Sequence, residues 1–325
     1  MITIRQIAKE AGVSKSTVSR YLNDGYVSEK TAEKIKKVIE ENNYSPNEFA
    51  RNLKYEKSKF IGVVIPRIDS PSTTSMLAGV EKISREHDYQ ILISNTDLDD
   101  QREIESIYSL VQNKVAGIIV FATKITDEHL ALQNKIEIPI IFVGQQHPDI
   151  YSVIHDNFQA GQLLASNLLK FNHQKVRYIG VSKTDYSVGV QRKKGVVSTF
   201  IAQGIQVEEI ESSFRTMANY ELAKQLLQDK TYTLYVTATD NMAIGFYRAA
   251  FDLGLIVGQD ISIAGFGGYM FSEFLTPPLT TIDFHHEKVG EQAMANLLDL
   301  IVGNSTIKES IVPVSYQERK SVIKL

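Results

Sequence analysis

The chain has 325 residues, 43% hydrophobic and 22% charged, proportions that fit a globular protein of two or three domains. It contains no cysteine, which excludes disulfides, thiol catalysis and Cys-ligated zinc. No stretch approaches about 18 uninterrupted apolar residues, and the first residues, MITIRQIAKEAG, are charged where a signal peptide needs an apolar core. A soluble cytoplasmic protein without a membrane segment is expected.

The net charge of −3 is unevenly spread. Residues 1–59 hold 12 Lys and Arg against 8 Asp and Glu, while the remainder is acidic by 7 charges. A basic head on an acidic body fits a head that meets a polyanion, although a lysine-rich helix face can be merely solvated.

In chain order, Thr3 reads as the N-cap of a first helix in which Ile4, Ile7, Ala8 and Ala11 recur at helical spacing. Gly12 ends that helix in a tight turn. Ser14 caps a second helix from Lys15 to about Leu22, with Val18 and Leu22 inward and Lys15, Ser16, Ser19 and Arg20 outward; Thr17 is its third residue. Asn23-Asp24-Gly25 breaks it, and a third helix over about 28–42 turns Ala32, Ile35, Val38 and Ile39 inward. Two helices joined by a short glycine-containing turn form a helix-turn-helix. Small residues at the start of its second helix allow close approach to a groove, Lys15 and Ser16 supply donors there, and Arg20 has the reach for guanine O6 and N7. The same spacing also fits a three-helix knob whose polar face is simply wet.

Next, Pro46 stops the third helix and can open another. NEFARNLK, 47–54, makes about two turns, too short to be stable alone in water. Ala50 and Leu53 share one face, with Arg51 and Lys54 beside them. An apolar wedge flanked by cations suits a minor groove, and the segment reads equally as an interdomain linker.

TIRQIAKEAGVSKSTVSRYLN, then YSPNEFARNLK, then KFIGVVIP, resembles the lac repressor (LacI/GalR) family of bacterial transcription factors. The resemblance implies that Lys15, Ser16 and Arg20 read bases, with Thr3, Ser14, Thr17, Ser19 and Asn23 in the same DNA-facing set. It implies that Asn47, Ala50, Arg51, Leu53 and Lys54 belong to a hinge helix that orders on operator DNA and inserts Leu53 into the minor groove. It further implies a homodimer on a palindromic operator. The chain ends at SVIKL without a heptad tail, so a dimer is expected rather than a tetramer.

From Phe60 the period changes. Short apolar runs, FIGVVIP (60–66), YQILIS (89–94), VAGIIVFA (115–122), IPIIFV (138–143), VRYIGV (176–181), LYVTA (234–238) and ISIAGF (261–266), alternate with helical patterns. Those patterns lie near 73–88, 100–114, 127–135, 157–171, 190–203, 220–229 and 240–254. Repeated β-α units predict an α/β body of parallel sheets covered on both faces, in two lobes divided near 150–160. The family resemblance implies the two-lobe fold of periplasmic sugar-binding proteins, with crossings near 158, 286 and 315. The expected organisation is a head over 1–45, a hinge and linker over 46–59, and a body over 60–325. Lobe 1 takes about 60–158 and 287–315, and lobe 2 about 159–286 and 316–325.

Open parallel sheets bind ligands beyond the carboxyl ends of their strands, so the interlobe cleft and the polar residues after each run are the candidates. Arg67, Asp69 and Ser70, followed by Ser72 and Thr73, could cradle a polar ligand or phosphate, or form a solvated loop. RIDSPS resembles the pattern of trehalose operon repressors, and LNDGYVS that of sucrose operon repressors, so the implied effector is a disaccharide or its phosphate. Arg192, three residues before Gly195, matches the family's effector-contacting arginine, and an arginine fork suits vicinal hydroxyls, carboxylates or phosphate. Asp240 in ATDNMAIG could accept two sugar hydroxyls, and Phe214 falls where the family often stacks an aromatic. Gln145 and Tyr186 also follow strand ends, and Phe266 offers a stacking surface. After ISIAGF, where the family commonly has an acid, stands Gly267-Gly268. This either widens the pocket or passes the role to Tyr269.

The seven histidines show no metal-ligand spacing, and adjacent His285 and His286 would not converge on one ion. No nucleophile elbow, Walker loop or dinucleotide fingerprint is present, so neither an enzyme nor a cofactor is expected. A sugar-responsive repressor is the leading reading. The alternatives are a global carbon regulator with a phosphocarrier protein partner, a solute-binding protein without a DNA role, and a phosphosugar enzyme without a visible catalytic set.

Overall fold

The computed structural model describes residues 2–22, 25–42, 44 and 58–325. The chain divides into two compact units, Met1–Ser58 and Lys59–Leu325. Asn23 and the segment that carries Asn47, Ala50, Arg51, Leu53 and Lys54, with the hinge helix expected there, lie outside the described residues.

The first unit contains helices α1 (Ile4–Glu10), α2 (Lys15–Tyr21) and α3 (Glu29–Glu41). Thr3 and Gln6 form a reciprocal capping box that starts α1, satisfying two backbone donors that the helix itself leaves open. Gly12 takes φ +66°, a left-handed turn that favours glycine, and Val13 N–H returns to the Ala8 carbonyl at 2.9 Å. Ser14 then caps α2 by accepting from Thr17 N–H at 3.1 Å. Ile7, Val18 and Ile35, one from each helix, are fully buried and form the centre of the head's core with Ala8, Ala11 and Val38.

The second unit holds two six-stranded sheets that share one strand order and differ in the direction of the sixth strand. Its elements begin with β1 (Phe60–Ile65), α4 (Pro71–Glu86), β2 (Gln90–Asn95), α5 (Asp100–Gln112), β3 (Gly117–Phe121), α6 (Asp127–Lys135), β4 (Ile140–Val143) and β5 (Tyr151–Ile154). They continue with α7 (Asn157–Leu168), β6 (Lys175–Gly180), a π-helix (Tyr186–Arg192), α8 (Lys193–Ala202), β7 (Gln206–Glu211), α9 (Thr216–Leu226), β8 (Leu234–Thr237) and α10 (Asp240–Asp252). The last are β9 (Ser262–Gly267), α11 (Met270–Phe274), β10 (Thr280–Asp283), α12 (His286–Ile301), β11 (Glu309–Ile311) and β12 (Ser315–Gln317).

The first sheet has the order β2-β1-β3-β4-β5-β11 and the second β7-β6-β8-β9-β10-β12. All pairings are parallel except that of β12 with β10. Strand alternation explains why β1 is buried throughout: Ile61, Val63 and Ile65 enter the apolar cluster on one face, Phe60 and Val64 the cluster on the other. The chain passes between sheets three times, after Ile154, after Asp283 and after Ile311.

Several elements depart from the periodicity reading. Strands β5, β7, β10, β11 and β12 and helices α11 and α12 have no counterpart among the expected runs. Strand β7 reads Gln-Val-Glu-Glu-Ile-Glu and lies at a sheet edge with alternating exposure, so no apolar run marks it. Strands β11 and β12 are three residues each and exist through their pairing with β5 and β10. The helix expected over 190–203 begins earlier, as the π-helix capped by Asp185, whose side chain accepts from Val188 N–H at 3.0 Å.

Candidate functional site

In the head, Lys15 and Ser16 stand exposed at the N-terminal end of α2, and Arg20 is exposed one turn further along. Ser14 Oγ bonds with Ser16 Oγ at 2.7 Å and Thr17 Oγ1 at 2.8 Å, so the hydroxyl cluster at the start of the helix is held in place by its own cap. Ser19 is half-buried, and Thr3 is exposed at the start of α1. Gly25 donates its N–H to the Arg20 carbonyl at 2.9 Å, and a Cβ there would come within 2.6 Å of Arg20 Cγ. The absence of that atom lets the arginine stem lie against the chain. Tyr26, which follows, is 88% exposed. Neither Gly25 nor Tyr26 carries a periodic signal in the sequence, since a glycine that acts by what it lacks adds no apolar position.

In the second unit, the cleft between the two sheets is lined by Arg67, Ser70, Gln145, Arg192, Phe214 and Phe266 from the expected set. Three expected residues stand elsewhere. Asp69 has an exposed carboxylate that accepts from Arg67 Nε at 2.8 Å, so its contact is with the arginine. That pairing holds its carboxyl below the usual range. Tyr186 is exposed on a separate groove, where its hydroxyl accepts from Gln191 Nε2 at 3.2 Å.

Asp240 is fully buried beneath the cleft and turned away from it. Its carboxylate accepts from Gly268 N–H at 2.9 Å, Ser272 Oγ at 2.7 Å and Thr281 Oγ1 at 2.7 Å. Burial pushes its pKa up to about 6, against those hydrogen bonds. The expectation that it accepts sugar hydroxyls is corrected here, because the protein's own donors already meet it. Its neighbour Asn241 lines the cleft instead and donates to the Phe214 carbonyl at 2.9 Å, fixing that aromatic residue.

Arg192 is at the end of the π-helix. Gly161 and Gly195 let α7 and α8 approach so closely that a Cβ on either would strike the opposite backbone, and this brings Arg192 against the start of α7. Asn157 Oδ1 accepts from Arg192 Nη2 at 2.7 Å and Nε at 3.1 Å, while the Ala238 carbonyl accepts from Nη1 at 2.6 Å. The guanidinium lies 4.4 Å from the Phe284 ring centroid and 5.1 Å from that of Phe266. Its hydrogen-bond partners are thus neutral oxygens, and two aromatic rings pack against it. Two of the five N–H groups of a guanidinium remain beyond these three bonds. Burial lowers its pKa, yet an arginine stays cationic.

The structure adds residues that the sequence reading missed. Asp185 lines the cleft and accepts from Gln145 Nε2 at 3.4 Å, and burial raises its pKa. Ser187 donates to the Gly144 carbonyl at 2.7 Å, a second bond from the β6 side to the β4 side. These bonds bridge the two lobes. Its own N-cap role after an apolar run could have flagged Asp185. His155 Nε2 donates to the Phe284 carbonyl at 2.6 Å, and burial brings its pKa down to about 4, so it is neutral. At the glycine pair, Gly267 and Gly268 have φ +150° and +67°, and a Cβ on Gly267 would lie 2.5 Å from the Tyr269 ring. Tyr269 lines the cleft there and stacks on His286, with centroids 5.5 Å apart at 15°.

Residues 58–320 match the family described as periplasmic binding proteins and sugar binding domain of LacI family. Residues 3–47 match the bacterial regulatory proteins of the lacI family. The chain belongs to the LacI family. It is a LacI-family DNA-binding repressor, not an enzyme. It is 37% identical to the sucrose operon repressor of Staphylococcus xylosus, over 96% of this chain and 97% of that protein. It is 28% identical to catabolite control protein A of Priestia megaterium, over 97% of each chain. The crystal structure of the lac repressor dimer bound to operator and the anti-inducer ONPF superposes with a TM-score of 0.88 at 26% identity, covering 99% of both chains. Within that family the two-sheet body and the three-helix head are the expected architecture. Among the described residues no helix is long and apolar enough to cross a membrane, and no group of side chains is arranged to hold a metal ion.

Proposed function

We propose that this LacI-family repressor controls a sugar-utilisation operon in the cytoplasm and that a disaccharide-type sugar or sugar phosphate in the interlobe cleft sets its operator affinity. The observation that carries this reading is the cationic Arg192, buried on neutral oxygens and against two phenylalanine rings, with N–H groups left over. Aromatic faces with a few fixed polar groups suit a sugar ring, and an arginine fork suits paired hydroxyls or a phosphate. Arg67 at the cleft wall and the Ser70 hydroxyl at the start of α4 supply further polar contacts of the same kind. The similarity to a sucrose operon repressor supports a disaccharide.

On this reading residues 1–45 bind DNA through the exposed face of α2, with Lys15, Ser16 and Arg20 at the bases. Residues 46–59 form the hinge that carries Leu53 to the minor groove, and 60–325 bind effector and pair two subunits on a palindromic operator. The lobe-bridging bonds of Gln145 and Ser187 give the effector something to strengthen or break.

The test is a thermal-shift screen with sucrose, trehalose and their 6-phosphates, followed by operator titration with and without the sugar that binds. A ligand at 100 times its dissociation constant adds about 2.7 kcal/mol to the stability of the folded protein. Arg192→Ala is expected to lose the shift and the operator response together. A full response in that variant removes Arg192 from the site, and no response of the wild type to any sugar removes the effector reading.

A further inference from the structure

His286 begins α12, immediately after the second passage between the sheets, and lines the cleft. The residue is half-buried, but both its ring nitrogens are closed off from solvent and neither has a hydrogen-bond partner among the described residues. The ring is held by its faces and edge alone. It stacks on Tyr269 at 5.5 Å and on Phe284 at 5.6 Å, and meets His155 edge to face at 5.7 Å. The other buried histidines differ. His155 bonds to the Phe284 carbonyl, His173 to Thr233 and the Ile323 carbonyl, and His129 to Glu103 and Thr126.

Burial, with His155, Arg192 and His285 as the charged or chargeable neighbours, keeps this imidazole neutral. A neutral imidazole has one N–H donor and one acceptor nitrogen. Leaving both unmet inside a protein is costly, and such a cost persists at sites where function requires the group. A phosphate dianion offers acceptors only, and so does a carbonyl. Hydroxyl groups carry donor and acceptor together, and a sugar presents several at fixed spacing along an apolar ring face.

We propose that His286 is a specificity-determining residue of the cleft: entry of a carbohydrate between the lobes shifts the Tyr269–His286–Phe284 stack, and the imidazole nitrogens, closed off in the ligand-free protein, then exchange hydrogen bonds with one or two of its hydroxyls. This rests on the reading of the cleft as the effector site. It adds a division of labour: Arg192 answers to charge or paired oxygens, and His286 reads a neutral hydroxyl that an apolar residue at the same position would ignore. It also has a consequence opposite in sign to that of a structural residue. Removing the nitrogens stabilises the ligand-free protein and weakens the effector.

The experiment compares the wild type with His286→Phe, which keeps the stack and removes both nitrogens, and with His286→Asn, which restores a donor and an acceptor. Melting temperature is measured without ligand, and affinity by calorimetry for sucrose, trehalose, their 6-phosphates and monodeoxy analogues of whichever binds. His286→Phe is expected to melt about 2–4 °C higher and to bind the sugar about tenfold or more weakly. It should bind the parent sugar and one deoxy analogue alike, whereas the wild type separates them. His286→Asn is expected to recover part of the affinity. A lower or unchanged melting temperature in His286→Phe, or unaltered affinity in both variants, overturns the role of His286 while leaving the effector site standing. Failure of the wild type to bind any of the sugars instead overturns the effector reading on which the inference rests.

Discussion

Arg20 and Arg192 are the same residue type under opposite conditions, one exposed on a helix and one enclosed on neutral partners. For Arg20 the surroundings impose little, so its worth lies in what it contacts. Arg20→Ala is expected to cost about 1–3 kcal/mol on the cognate operator and far less on random DNA, measured by fluorescence anisotropy at fixed salt. Equal losses on both would assign it to the phosphate backbone. Arg192 was marked by the family resemblance, as a helix-start arginine before Gly195. Asp240 was equally legible as a motif, yet its role differs from the motif's suggestion. Three donors from Gly268, Ser272 and Thr281 converge on it across 28 to 41 residues of chain. No local pattern encodes that convergence, and the same holds for Asn157, which is 35 residues from the arginine it positions.

At the scale of elements, the β9–α11 connection depends on the glycine pair. Gly268 combines φ +67° with an N–H bond to Asp240, and a Cβ there would lie 2.5 Å from Asp283 Cα. Gly268→Ala is expected to destabilise the body by about 1–3 kcal/mol through backbone strain and that clash, read as a lower melting temperature and a weaker sugar response. A neutral outcome would mean that the connection relaxes without cost. Most β-α runs that the sequence displays are central, fully buried strands, such as Phe60–Ile65, although Gln90–Asn95 is a partly exposed edge. Among those it hides, Gln206–Glu211 is half solvated, and Ser315–Gln317 is too short to carry a period. Helix α12, which opens with two histidines, was lost for a different reason. The spacing of His285 and His286 fits no metal site, and the rings around His286 come from Tyr269, Phe284 and His155, which its own helix does not carry.

At the scale of the whole molecule, buried neutral histidines set how the body responds to acid. His155 and His173 are brought from 6.5 down to about 4, and His286 falls well below its ordinary value, each chiefly by burial. Between about pH 4 and 6.5 the unfolded chain binds protons that the folded chain refuses, so stability rises with pH through that window and is lost on acidification, by up to about 1.4 kcal/mol per pH unit per group. Asp240 acts in the opposite sense, because its raised pKa lets the folded state keep a proton between 3.8 and about 6. Asp185, whose pKa burial also raises, acts in the same sense as Asp240, and three groups against these two predict a lower melting temperature at pH 5 than at pH 7. A flat profile would show that these rings are hydrated or that the two carboxylates cancel them.

What the sequence determined by itself was local in origin: the capped helix pair at Thr3 and Ser14, the alternation of apolar runs with helical stretches, and from these a two-part chain, with the resemblance to the LacI family carried by its motifs. Short-range periodicity and capping chemistry act over a few residues, so they are written in the order of the chain. Only the tertiary structure decided the cleft. It turned Asp240 inward, aligned Arg192 on Asn157 and two phenylalanines, put Tyr269 over Gly267, and left the His286 nitrogens without a partner. Apart from the Tyr269–Gly267 contact, those outcomes come from residues far apart in sequence that are brought together because two sheets pack their helices and the chain crosses between them three times.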